Sequence, residues 1–198
     1  METACPLQGV MLSSRKMKKE IHSIPTEYNH RMYRSRLEAR WACFFDLCGW
    51  IFEYEAMDLN GWIPDFVIKG KDIVLVEVKP ITTLDEIITE KMERAIKGTE
   101  FEGKDLLLLG CIFPEEDFLG WTAQYVISEY DWGKAAIGMW SHEPWENGIV
   151  GFCHDYQTFY DRITGKHDGG HYGNYCDKGL ALAKRYWAEA GNMTKWKK

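Results

Sequence analysis

The stretch Gly61–Pro80 combines an apolar run with three charged residues, Asp65, Glu77 and Lys79, whose types and spacing can do chemistry. Asp65 precedes a turn at Gly70, while Glu77 and Lys79 stand at the end of the run that begins IVLVEV. Charged groups in such a run are costly to bury unless they are paired or bind a metal. Two close carboxylates repel unless one is protonated or a cation lies between them. A hard divalent ion such as Mg²⁺ would resolve that repulsion, and Lys79 would then face a reacting water or a phosphate.

Two neighbouring strands are predicted to bring these residues together. Residues i and i+2 of a strand point to the same face, so Glu77 and Lys79 project together while their apolar neighbours point the other way. The tight turn at Gly70 predicts antiparallel pairing that places Asp65 roughly opposite Glu77. The sequence therefore predicts a close group of two carboxylates and one ammonium.

Simpler interpretations of the same residues stay open. Glu77 and Lys79 also fit an ion pair at the end of a sheet. Lys79 beside Pro80 also fits a lysine whose stem is buried and whose ammonium reaches water. Neither interpretation explains Asp65 at the same place as economically.

The surrounding sequence predicts helix, three strands, helix, strand. An apolar stripe at spacings of three and four predicts an amphipathic helix from Tyr33 to a stop at Gly49. The alternating segment IFEYEA, the hairpin signal Asn60-Gly61 and the segment WIPDFVI predict the first two strands. IVLVEVK is the third strand, and its apolar residues on both faces indicate a central position in the sheet.

The next segments complete this unit and continue beyond it. Thr83–Glu86 reads as a capping box that opens a helix ending at Gly98, and a buried strand follows from Asp105 to Cys111. WTAQYVISEYDW reads as a strand, and DKGLALAKRYWAEAG reads as a final helix. We therefore predict a flexible arm at 1–24, a core at 25–112, and a C-terminal elaboration of strands and a helix at 113–198 that packs on the core.

The charged group and its context resemble the PD-(D/E)XK nuclease superfamily. IPD at 63–65 is followed, after eleven residues, by EVK at 77–79, and the predicted element order is similar to that family's core. Glu38 matches the glutamate that the family's first helix commonly supplies. The stretch 24–112 looks like small nuclease-like proteins of phages and mobile DNA. The resemblance implies an α/β fold of α+β type with a restriction-endonuclease-like αβββαβ core.

The resemblance also implies a mechanism, which is metal-dependent phosphodiester hydrolysis by a DNA endonuclease. Asp65 and Glu77 would hold Mg²⁺ or Mn²⁺, with the backbone carbonyl of Val78 as a further ligand. Glu38 would bind the metal directly, through water, or hold a second ion. The metal would polarise the phosphate and lower the pKa of a bound water. Lys79 would orient that water or stabilise the developing negative charge.

Three basic residues, Arg34, Arg36 and Lys91, are candidates for phosphate contacts, and solvated helix faces explain them at least as well. Glu38 likewise has a simpler interpretation, which is an i,i+4 pair with Arg34. Cutting both DNA strands usually needs two active sites, so a homodimer is compatible with this function. The rival class is a non-catalytic module on the same fold that binds nucleic acid or a protein.

Composition and charge limit the partners. The 198 residues are 45% hydrophobic and 27% charged, as in an ordinary globular protein. No apolar run approaches the roughly 20 residues that cross a bilayer, and the N-terminus lacks the order of a secretory signal. We therefore expect no membrane and a cytoplasmic location, in the host cell if a phage encodes the chain. The formal net charge of −6 argues against a simple electrostatic nucleic-acid binder, but not against an enzyme with an acidic metal site.

The six cysteines occur without CxxC pairs, and an intracellular chain of this size is not expected to carry a disulfide framework. Cys43, Cys48 and Cys111 are predicted to be buried free thiols. A further group of zinc-competent residues fits no familiar zinc spacing, so we predict a polar loop with incidental histidines and no zinc site. Its members are Cys153, His154, His167, His171 and Cys176.

Overall fold

The computed structural model describes residues 23–111, 118–140, 150–154, 160–166 and 175–195. The helices in these ranges are α1 (Arg36–Cys48), α2 (Glu86–Ile96) and α3 (Asp177–Met193). The strands are β1 (Thr26–Tyr28), β2 (Arg31–Tyr33), β3 (Phe52–Tyr54), β4 (Phe66–Lys69), β5 (Ile73–Val78), β6 (Asp105–Leu109), β7 (Phe118–Val126), β8 (Glu129–Trp140), β9 (Val150–His154) and β10 (Tyr175–Cys176). The predicted mixed α/β class is confirmed. Nearly all of the predicted N-terminal arm lies outside the described residues.

One mixed sheet organises the described chain. Its strands run in the order β10-β8-β7-β6-β5-β4-β3, with β9 also paired to β8, while β1 and β2 form a separate hairpin. β5 and β6 are parallel, and β3, β4 and β5 are joined by antiparallel pairing. The predicted order helix, three strands, helix, strand is therefore present as α1, β3, β4, β5, α2 and β6. β7 pairs with β6, so the C-terminal strands extend the same sheet.

The helix α1 begins later than the sequence predicted. Tyr33 belongs to β2, and the helix starts after Ser35, whose hydroxyl accepts a hydrogen bond from the backbone N–H of Glu38. A serine oxygen satisfies one of the unpaired N–H groups of a first helical turn, which tyrosine cannot do in the same way. The predicted stop is confirmed, because Gly49 adopts a left-handed conformation with φ of 74°.

The start of α2 also corrects the sequence prediction. Asp85 caps the helix and accepts hydrogen bonds from the N–H groups of Ile87 and Ile88, so the capping box at Thr83 is wrong. A carboxylate has an advantage here, because it both accepts these bonds and carries negative charge at the positive end of the helix. WTAQYVISEYDW is likewise not one strand, because β7 ends and β8 begins on either side of a turn at Ile127-Ser128.

Apolar residues cover both faces of β5, as its sequence predicted. Val76 and Val78 belong to a core cluster shared with α1 and α3. Leu75 belongs to a second cluster shared with α2. β5 lies between β4 and β6, so every residue from Val74 to Val78 is buried. The rigid middle of the sheet therefore fixes the position of the charged residues at the end of β5.

The hairpin signal at Asn60-Gly61 forms a turn at some distance from the strands. Both residues have positive φ, 52° and 85°, and Leu59 pairs with Trp62 across them. β4 starts only at Phe66, so Asp65 lies just before the strand. The connection between β3 and β4 therefore delivers Trp62 and Asp65 to the end of β5.

Candidate active site

Asp65 is buried beside the C-terminal end of β5. Phe66 pairs with Val76, so Asp65 lies opposite the following residue of β5, as the turn at Gly70 predicted. Only 1% of Asp65 is exposed. Its Oδ2 accepts a hydrogen bond from the backbone N–H of Val78 at 2.7 Å, and its Oδ1 accepts one from Arg34 at 2.7 Å. The two bonds fix the orientation of this carboxylate.

Lys79 joins the two predicted carboxylates. Its Nζ lies 2.5 Å from Oε1 of Glu77 and 3.5 Å from Oδ2 of Asp65. The same ammonium donates a hydrogen bond to the carbonyl of Val78 at 3.1 Å. Glu77 is also held from its other side, because the indole N–H of Trp62 donates to Oε2 at 2.8 Å. The structure thus brings together the two carboxylates, the lysine and the carbonyl that the sequence singled out.

Burial and neighbouring charge shift the protonation of this group. Burial raises the pKa of Glu77, the charge of Asp65 raises it further, and Lys79 opposes both effects. Burial alone would lower the pKa of Lys79, but the charges of Asp65 and Glu77 outweigh it and raise that pKa. Lys79 is therefore held as an ammonium by the pair of carboxylates.

Glu38 lies in the first turn of α1 and is also buried. Its Oε1 accepts a hydrogen bond from the Ser35 hydroxyl at 2.7 Å, and its Oε2 accepts one from the Tyr54 hydroxyl at 2.6 Å. Arg34 precedes the helix, and its Nε lies 4.0 Å from Glu38 Oε2. The i,i+4 contact with Arg34 is therefore present, but shorter bonds to Ser35 and Tyr54 hold the carboxylate.

Arg34, a candidate for phosphate contact, lies between carboxylates. Its Nε is 2.7 Å from Glu55 Oε1, and its Nη2 is 2.7 Å from Asp65 Oδ1. We call these residues the carboxylate cluster. Its members are Arg34, Glu38, Glu55, Asp65, Glu77 and Lys79. Four carboxylates and two cations give a formal charge of −2, which one divalent cation would neutralise.

The other two basic candidates lie in different places. Arg36 lines a cavity of about 780 Å³ together with Glu38 and Lys79. Lys91 lines a separate cavity of about 230 Å³ between α2 and the turn at Asn60-Gly61. The structure therefore places Arg36 beside the carboxylate cluster, whereas Lys91 is not among the residues that line the same cavity.

The donor set suits a hard cation in type, but protein cations and N–H groups already bond to it. Carboxylate and carbonyl oxygens are the ligands that Mg²⁺ and Mn²⁺ prefer. Each oxygen of Asp65 and Glu77 already accepts a bond from the protein, and the Val78 carbonyl accepts one from Lys79. Within the part of the chain that the structure describes, no three His, Cys, Asp or Glu side chains are grouped as metal ligands. A metal would therefore have to share these oxygens with their present donors, which include Lys79, Arg34 and Trp62, or displace those donors.

The cysteine and histidine residues are only partly described. Cys43 and Cys48 are buried free thiols, as predicted, but Cys111 is only half-buried because it lies at the wall of the 780 Å³ cavity. Cys153 is buried, and the His154 ring lies 2.9 Å from the Asp131 carbonyl oxygen. His167, His171 and the side chain of Cys176 lie outside the described residues.

Sequence reasoning missed three residues that hold the cluster. Trp62 bonds Glu77, Tyr54 bonds Glu38, and Glu55 bonds Arg34. Trp62 directly follows the Asn60-Gly61 turn, and this position was a usable signal for proximity to Asp65. The other two lie at the end of β3, and only the pairing of β3 with β4 shows where they point.

Comparison of the chain with protein-family models, with curated proteins and with solved structures found no match. None of the described helices is long and apolar enough to cross a membrane. A functional conclusion for this chain therefore depends on the carboxylate cluster and its surroundings.

Proposed function

We propose that this protein is a metal-dependent nuclease that hydrolyses phosphodiester bonds in DNA, on a restriction-endonuclease-like core. The observation that carries the proposal is the position of Lys79, whose ammonium contacts two buried carboxylates at the end of a central strand. The resemblance to PD-(D/E)XK nucleases supports it, as does the element order from α1 to β6. A purely structural role needs neither this depth of burial nor a second carboxylate at Asp65.

Each residue of the cluster would have its own role in hydrolysis. Asp65, Glu77 and the Val78 carbonyl would hold Mg²⁺ or Mn²⁺, which would supply a polarised phosphate and a water of lowered pKa. Lys79, which lies beside Glu77, would stabilise the negative charge that develops on the phosphate. Glu38 would orient water from the first turn of α1, held there by Ser35.

A plasmid assay tests the proposal. Supercoiled DNA is incubated with Mg²⁺ or Mn²⁺ and with the wild-type protein, Asp65→Asn or Lys79→Met. The wild type should nick or linearise the DNA, and each variant should lose at least about 100-fold in rate, because each removes a metal ligand or a charge-stabilising group. Lys69→Met is the matched control, because Lys69 forms an exposed ion pair with Glu53 on the same sheet.

Further substrates extend this assay. Linear, single-stranded and branched DNA and RNA should be tested with the same variants, since the core alone does not set the preference. The oligomeric state can be measured by light scattering, with a homodimer expected if both strands are cut. The enzymatic proposal would be refuted if the wild type and Asp65→Asn cleaved every substrate at the same rate, or if neither cleaved any substrate.

A second candidate is a non-catalytic module that binds nucleic acid or a protein. The observation that favours it is that all six oxygens of Glu38, Asp65 and Glu77 accept bonds from the protein itself. Such a closed cluster can serve to fix the fold. In this case calorimetry should detect no binding of Mn²⁺, and Asp65→Asn should leave nucleic-acid binding unchanged.

A further inference from the structure

A cavity of about 780 Å³ lies between α1 and α3, and we call it the α1–α3 cavity. Its walls come from the first turns of α1, from the last turns of α3, and from the residues that follow β5. The chemistry-bearing residues among those that line it are Arg36, Glu38, Arg40, Lys79, Cys111 and Lys195. Its volume falls within the range of ligand pockets, which is about 300–1,000 Å³. Lys79 and Glu38 belong both to this cavity and to the carboxylate cluster, so the two are continuous.

The charge of the α1–α3 cavity is opposite in sign to that of the whole chain. The protein carries a formal net charge of −6. Four cations and one carboxylate are among the residues that line the cavity, so its formal charge is +3. A local reversal of this kind concentrates positive potential where an anion can enter.

Arg36 and Arg40 stand one helical turn apart on α1 and repel each other. Like charges at i,i+4 destabilise a helix. Burial lowers the pKa of Arg40, and the charge of Arg36 lowers it further. Within the described part of the chain, neither guanidinium forms an ion pair with a carboxylate. Bound phosphates beside the two groups would offset this repulsion.

Arg40 is held in place by α3. Its guanidinium lies 3.7 Å from the centre of the Trp187 ring, and its Nη2 donates to the Trp187 carbonyl at 2.9 Å. Gly191 leaves room for it, because a Cβ there would lie 3.0 Å from the guanidinium. Nη1 takes no part in these bonds. A cation fixed in this way binds an anion with little further loss of side-chain entropy.

We infer that the α1–α3 cavity binds the sugar–phosphate backbone of a nucleic acid beside the phosphate that faces Lys79. This inference rests on the proposed function for the position of the reacting phosphate. Arg36, Arg40 and Lys195 contact successive phosphates along the path from α1 to the end of α3. The ligand class is a phosphodiester chain, because the four cations that line the cavity come from α1, from the residue after β5 and from the end of α3, and a volume of about 780 Å³ exceeds that of a single phosphate.

Binding without cleavage tests the inference. Fluorescence anisotropy is measured in EDTA with labelled double-stranded DNA, single-stranded DNA and RNA over a series of salt concentrations. Arg36→Gln and Lys195→Gln should each weaken binding about tenfold and reduce the salt slope by about one, as expected for a lost phosphate contact. Arg31→Gln and Lys184→Gln are matched controls, since both residues are exposed and outside the cavity lining.

The outcomes separate this inference from the proposed function. Unchanged binding and KM for Arg36→Gln and Lys195→Gln in a protein that still cuts DNA would overturn the inference alone. Loss of binding in these variants, with no cleavage by the wild type, would support the inference and refute the nuclease. Displacement of the nucleic acid by inorganic phosphate at matched ionic strength would show a free-phosphate site and overturn the backbone assignment. For Arg40→Gln, the melting temperature of the variant is measured alongside its binding, because Arg40 also packs on Trp187.

Discussion

Replacing Lys79 by methionine tests whether its ammonium holds two buried carboxylates together. Asp65 and Glu77 are 1% and 4% exposed, and Lys79 contacts both. Removing one partner of a fully buried ion pair costs about 3–5 kcal/mol. The Lys79 side chain is 37% exposed, so solvent screens part of this cost. We therefore expect Lys79→Met to lower the free energy of unfolding by about 2–3 kcal/mol.

Urea denaturation of a double-mutant cycle measures this value. In Lys79→Met/Glu77→Gln the charge of Glu77 is removed as well, while its amide oxygen can still accept from Trp62. The double variant should therefore recover about 1–2 kcal/mol relative to the sum of the single variants. Lys69→Met should change stability by less than about 1 kcal/mol, because both members of its ion pair are half exposed.

A divalent cation adds a second readout to the same experiment. If the cluster accepts a metal, Mn²⁺ should raise the melting temperature of Lys79→Met more than that of the wild type, because it supplies the missing positive charge. The reasoning is refuted if Lys79→Met keeps wild-type stability within about 0.5 kcal/mol, since the buried carboxylates would then not depend on the ammonium.

Three further predictions follow from single contacts. Trp62→Phe keeps an aromatic ring but removes the N–H that donates to the buried carboxylate of Glu77. Urea denaturation should therefore show a free energy of unfolding lower by about 2–3 kcal/mol. An unchanged free energy of unfolding would mean that this bond is dispensable. Iodoacetamide should modify Cys111 at least about tenfold faster than Cys48, because burial raises the pKa of the Cys48 thiol. Site-resolved mass spectrometry measures both rates, and equal rates would contradict the position of Cys111 at a cavity wall. Burial raises the pKa of Asp105 despite Arg162, so its contribution to stability is present below its unfolded pKa and is lost as the pH rises through its folded pKa. Asp105→Asn should therefore flatten the fall in urea midpoint as the pH rises above about 4, the usual pKa of an unfolded aspartate, and an unchanged slope would refute this.

The sequence was sufficient where local rules decide the structure. The turn at Gly70 and the period of two placed Asp65 opposite Glu77, and the register of β4 and β5 agrees. Apolar residues on both faces identified β5 as a central strand. These features depend on residues that are close in the chain, so their pattern specifies the geometry.

Contacts between distant segments could not be predicted in this way. Arg40 packs on Trp187, which lies 147 residues later, and no periodic pattern links the two. Two partners of Arg34 were also out of reach, because Glu55 lies just after β3 and Asp65 lies just before β4. The first residues of α1 and α2 were mispredicted because several neighbouring residues can cap each helix. Only the structure shows that Ser35 and Asp85 do so.

Lys79 is the point at which the two charge patterns of this protein meet. On one side the carboxylate cluster has a formal charge of −2, and on the other the α1–α3 cavity has a formal charge of +3. Under the proposed function, the first would hold a divalent cation and the second a phosphate chain, so both would lie next to the same ammonium. In that proposal Asp65 and Glu77 would hold the cation, and Lys79 would be available to pair with the phosphate. The protein would thereby keep its buried carboxylates neutralised both before and after substrate binds.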